Sequence, residues 1–196
     1  MTTTIAEMLK YADATIHGGN PSDPAIIDAW AAAGFDNGDQ CVPWWDAGCF
    51  NADRAAELRG RMVVPEAVAG PVAGGEYHGL RGRLIDGYSL GYWHANGDLS
   101  TDDTVDACRA DWSQCDTLAA VRRLAAAVQI GRRIGQAIAR DVVADDLPRD
   151  WTGLDPQDAD ELTAGDYEPD TPEWAAAEEE ARRFYAATLA SLDAKK

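Results

Sequence analysis

Gly87-Tyr88-Ser89-Leu90-Gly91 sets a serine between two glycines in the G-x-S-x-G order of a nucleophile elbow, and His17-Gly18-Gly19 has the make-up of an oxyanion loop. A small serine hydrolase using Ser89 is the chemistry these residues suggest. It requires a base histidine after the nucleophile, with an acid between them. The only histidine downstream of Ser89 is His94, five residues on and too close to arrive from a separate loop. The chain also lacks the series of strand-plus-helix units that builds a parallel sheet beneath such an elbow. The hydrolase reading therefore ranks below a non-enzymatic one.

Other chemistries have less to stand on. Cys41 and Cys49, and Cys108 and Cys115, are spaced too widely for the C-x-x-C of a zinc or redox site, and read as small buried residues. With His17, His78 and His94 as the only histidines, a histidine-rich metal site is excluded by supply. No G-x-x-x-x-G-K-[ST] cradles a phosphate, and no G-x-G-x-x-G follows a strand. Asp155-Pro-Gln-Asp-Ala-Asp160 lacks the ligand order of a calcium loop. No cofactor and no metal are expected.

Charge is what sets the chain apart. Its 196 residues carry 34 acidic against 17 basic side chains, a net of −17. Between Asp141 and Glu180 there are fifteen carboxylates and one base, Arg149, a net of −14 that leaves −3 for the rest. Direct binding to nucleic acid or to an anionic membrane is disfavoured, because both need a basic footprint. A folded acidic surface can instead imitate the field of duplex DNA, which carries about one negative charge per 1.7 Å of axis. Small phage and plasmid proteins that block restriction or CRISPR systems have a similar composition, although no motif here identifies a family. The expected function is thus a non-enzymatic acidic protein that binds a basic protein surface, in the manner of a nucleic-acid mimic inhibiting a DNA- or RNA-binding protein. The expected contact residues are Asp145, Asp146, Asp150, Asp155, Asp158, Asp160, Glu161, Asp166, Glu168 and Asp170. A phage or mobile-element assembly protein is the alternative. There is no apolar run of membrane-spanning length. The opening residues lack the pattern of a secretory signal, so a cytoplasmic location is expected.

The elements that would carry these groups read as mainly α: one helical domain, with residues 1–143 as a core and 144–196 as an acidic segment plus a C-terminal helix. A short helix is expected over 2–16, then a loop over 17–24. Ser22 or Asp23 caps a helix over 25–33 that stops at Gly34. A weak fourteen-residue repeat follows, pairing Trp30, Gly34 and Phe35 with Trp44, Gly48 and Cys49. Each Trp ends a short helix, the Gly makes a left-handed turn, and an apolar plug comes next. A degraded third copy runs over 58–69, with Met62 in the glycine's place. Gly70 to Gly82 breaks the pattern. Residues 84–94 fit either a helix face or one strand of a small hairpin turning at Asn96-Gly97, and the helix is preferred for want of a second strand. Ser100 caps a helix over 101–110. The long central helix, from 115 or 116 to 143, carries Leu118, Val121, Ala125, Val128, Ile134 and Ile138 on one stripe. Gly131 and Gly135, one turn apart, admit a second helix at close range, in this chain or in a homodimer. Thr171 caps the last helix, over 172–192.

Overall fold

A computed structural model describes residues 4, 23–69, 84–143, 153, 154 and 160–194. The expected helix over 2–16, apart from residue 4, and the glycine-rich stretch 70–82 lie outside them. The protein is mainly helical. Its elements are α1 (Pro24–Ala32), α2 (Gly38–Asp46), α3 (Ala52–Gly60), α4 (Pro65–Val68), α5 (Leu90–Ala95), α6 (Thr101–Arg109), a 3-10 turn (Trp112–Gln114), α7 (Leu118–Val143), α8 (Asp160–Ala164) and α9 (Pro172–Asp193). The chain falls into two compact units, Met1–Leu118 and Ala119–Lys196. The break thus lies at the start of the long helix, whereas the sequence reading divides the chain after 143.

The repeat of the first unit is written in its caps. Asp23, Asn37 and Asn51, fourteen residues apart, each accept a backbone N–H of the following helix on a side-chain oxygen. This satisfies a donor that a helix start otherwise leaves open. The helix ends repeat as well. Phe35 N–H bonds back to the Trp30 carbonyl, Cys49 to Trp44 and Val63 to Leu58, at 2.9 to 3.1 Å. The pivot residues Gly34, Gly48 and Met62 are all left-handed. Nine-residue helices with such stops cannot lengthen, so their apolar faces must be buried against one another. Trp30, Phe35, Cys41, Trp44, Trp45, Cys49, Ala55 and Leu58 are buried in that way. Trp30 meets Phe35 edge-on, with centroids 4.7 Å apart. Arg59 of α3 stacks over Phe35 and donates to the Ala33 and Gly34 carbonyls, tying α3 to the end of α1.

The ambiguous stretch resolves into a turn and a helix. Asp86 and Gly87 both have positive φ, and Ile85 and Tyr88 exchange two backbone hydrogen bonds, so a primed turn closes an isolated bridge with no strand beside it among the described residues. α5 then starts at Leu90. The hairpin expected around 84–99 is not formed. Asn96-Gly97 ends α5, with Asp98 N–H bonded back to the Trp93 carbonyl. The Asp86 side chain accepts Leu118 N–H at 2.8 Å and so caps α7 from 32 residues away.

In the second unit α7 and α9 run parallel, since Arg123, Gly131 and Gly135 lie against Glu173, Ala177 and Ala181 in the same order. A methyl group on Gly131 would strike the Ala177 carbonyl oxygen, and one on Gly135 would lie 2.8 Å from the Ala181 backbone. The helix admitted by these glycines is thus the chain's own α9. α9 thus occupies the glycine face that the sequence also offers to a homodimer. Ala127, Ile134, Leu162, Tyr167, Trp174 and Ala177 form the core of this unit.

Candidate interaction surface

The acidic segment is pinned by its apolar residues. Leu162 on α8 and Tyr167 after it are buried, and Tyr167 N–H bonds to the Leu162 carbonyl at 3.0 Å. The Tyr167 hydroxyl reaches the Arg123 carbonyl, and the Arg123 guanidinium lies over the Tyr167 ring. Thr171 caps α9 by accepting Trp174 N–H. Asp166, Glu168 and Asp170 fall between these anchors, and Asp160 starts α8 two residues before Leu162. All four are exposed and none has an ion-pair partner among the described residues. Asp166 and Asp170 hold left-handed backbone, which Asp tolerates better than most residues. Tyr167 and Trp174, which the sequence intersperses with the acids, face the core.

The acids of α9 have a different role. Glu173 pairs with Arg123 at 3.6 Å, and buried Glu180 lies 3.1 Å from Arg132 and 3.5 Å from Arg183. Glu178 and Glu179 pair with Arg182 and Arg183 along the helix. Their charge is spent within the unit. Of the expected contact residues, Asp145, Asp146, Asp150, Asp155 and Asp158 lie outside the described residues. Glu161 is on α8, and its side chain is not described.

The serine motif is explained by packing. Ser89 Oγ accepts Tyr92 N–H at 3.1 Å, capping α5, and donates to the Ala47 carbonyl at 2.8 Å. Gly91 lets that backbone approach, because a methyl there would sit 2.5 Å from Ala47 O. Gly87 serves the primed turn. His94 does not reach Ser89. It is fully buried, with Nε2 facing the Arg54 carbonyl at 3.2 Å and Nδ1 facing the Leu99 carbonyl at 3.4 Å and the Thr104 hydroxyl at 3.3 Å. Burial holds its pKa below the usual histidine value, outweighing the opposite pull of the Arg54 and Leu99 carbonyls. Among the described residues no histidine is thus set to serve Ser89 as a base, and His17-Gly18-Gly19 lies outside them. Burial also pushes the Cys41 thiol up and the Cys49 thiol to about 12, far from a reactive thiolate. Among the described residues, no three His, Cys, Asp or Glu side chains converge as metal ligands do, and no helix is long and apolar enough to cross a membrane.

Reading the acid by sequence window misses one feature. From Asp23 to Asp53 there are six aspartates and no lysine or arginine. All six are exposed, so their run without a base was the available signal.

Comparison with protein-family models, with curated proteins and with solved structures finds no match.

Proposed function

We propose that the protein is a non-enzymatic binding protein that presents carboxylates to a basic protein surface, as a nucleic-acid mimic acting on a DNA- or RNA-binding protein. The observation that carries this reading is the set Asp160, Asp166, Glu168 and Asp170, exposed, without an ion-pair partner among the described residues and set around buried Leu162 and Tyr167. Anchored carboxylates keep their spacing, which a mimic of a regular phosphate array needs. We place the protein in the cytoplasm, a reducing compartment in which buried thiols such as Cys41 and Cys49 stay reduced.

The test is competition with duplex DNA for a restriction endonuclease and for an RNA-guided nuclease. The protein displaces DNA at about 50 mM salt and loses about tenfold in affinity by about 200 mM. The triple change Asp166→Asn, Glu168→Gln, Asp170→Asn removes most of the competition. Competition that is indifferent to salt, or that survives the triple change, refutes the reading.

A further inference from the structure

We infer that the Met1–Leu118 unit carries a second docking surface, apolar with an acidic rim, that takes a basic amphipathic segment of a partner protein. The surface begins in a cleft of about 320 Å³ between α1 and the start of α3, floored by Ile26, Ala29 and Phe50, with Asp53 in its wall. That volume accepts an apolar side chain of leucine or phenylalanine size. From Phe50 the surface continues as a run of rings. Phe50 and Tyr92 have centroids 5.9 Å apart, and Tyr92 and Tyr88 stack at 4.0 Å and 13°. Tyr88 is 44% exposed and Leu84, beside the same turn, 40%. Large apolar side chains left in water next to a cleft mark an interaction surface more than isolated ones do.

Charge decides the occupant. Asp53 lines the cleft, and exposed Asp86 lies in the turn between Leu84 and Tyr88. The described part of the unit has four cations, and each is engaged. Arg54 pairs with Glu57, Arg61 with Asp102 and Arg109 with Asp106, while Arg59 is bound to Phe35 and the end of α1. A second copy of this chain would bring like charge, and nucleic acid or an anionic membrane would be repelled. An amphipathic segment with Arg or Lys beside its apolar anchors fits both features of the surface, in the groove-binding mode of such segments.

The probe is an amphipathic peptide of leucine and lysine, with its leucine–glutamate counterpart as the control, titrated into the full chain by calorimetry at physiological salt. The lysine peptide binds and the glutamate peptide does not. Leu84→Ser with Tyr88→Ser, both at exposed positions, weakens binding by about tenfold or more, with the thermal midpoint of the variant recorded to show that it folds. The triple change at Asp166, Glu168 and Asp170 leaves this binding within about twofold. Absence of binding, equal binding of the glutamate peptide, or full affinity in the Leu84/Tyr88 variant overturns the inference. Loss of affinity only in the triple variant also overturns it, yet leaves the function proposed for the 160–170 segment standing.

Discussion

In the Met1–Leu118 unit eighteen acidic residues face seven basic ones, a net of −11, whereas Ala119–Lys196 holds sixteen against ten, a net of −6. The densest acid in the sequence therefore belongs to the less negative unit. In that unit α7 and α9 bring Arg123 to Glu173 and Arg132 to Glu180, so part of the acid holds two helices together. The first unit has few cations to use in this way: Asp102 and buried Asp106 pair with Arg61 and Arg109, and most of its other described aspartates cap helices or face water. Charge density along a chain measures supply, and only the folding unit shows what is left over. The units also differ in how their helices are held. Short helices in the first are locked by side-chain caps at their starts and by backward backbone hydrogen bonds at their ends. Long helices in the second lie along a seam that only glycine permits.

The largest expected effect tests that seam. Gly131→Ala forces a methyl into the Ala177 backbone and is expected to destabilise the second unit by about 2–3 kcal/mol in denaturant unfolding followed by hydrogen exchange. Gly60→Ala is the mirror case in the first unit. With nothing within 4 Å of the new methyl, it is expected to stabilise by about 0.5–1 kcal/mol. Equal effects at the two positions would erase the contrast between seam and cap.

An intermediate effect belongs to His94. The folded ring titrates below the unperturbed 6.5, so the unfolded chain binds its proton first as pH falls. The stability His94 confers is then present above pH 6.5 and lost progressively below it, at a rate approaching about 1.4 kcal/mol per pH unit. A neutral ring has one N–H for two facing carbonyls, Arg54 and Leu99. Protonation would serve both but leaves a charge buried between α3, α5 and α6, near Arg54 and with Glu57 as the opposing carboxylate. Thermal unfolding of the wild type and of His94→Gln between about pH 5 and pH 8, the range in which histidine titrates, is the measurement, to be read on the first unit's transition. The variant should lose most of the slope; an unchanged slope would move the effect to the carboxylates.

The smallest effect concerns the degraded repeat. Met62 holds φ 61° where its two counterparts are glycine, with its side chain 91% exposed. Met62→Gly is expected to stabilise the first unit by up to about 1 kcal/mol by removing left-handed strain. A loss of stability would mean that the methionine side chain supports the unit in a way its exposure does not suggest.

Much of the first unit was legible from the residues. Trp30, Gly34 and Phe35, and their counterparts fourteen positions on, predict helix ends that the structure contains, because a left-handed pivot with its two backward hydrogen bonds is a local event. Met62 was legible in the same way, from position alone. The 84–94 stretch was not, since alternation and helical spacing coincide there, and the choice fell to the primed turn at Asp86-Gly87 and to Ser89 gripping Ala47. The G-x-S-x-G order survives as a set of packing requirements, which a motif cannot distinguish from chemistry.

For the interaction surface the division is sharper. The number of carboxylates, the scarcity of cations and the helical character follow from the sequence by itself, since charge is additive and helix stops are set by a few neighbouring dihedrals. Which carboxylates stay free was decided only by tertiary structure. Glu180 and Asp166 look alike in a count, but the first is buried between Arg132 and Arg183 while the second sits on an exposed turn. Ion pairing across some fifty residues depends on helices meeting in one register, and that register comes from packing along the Gly131 and Gly135 seam rather than from any local preference.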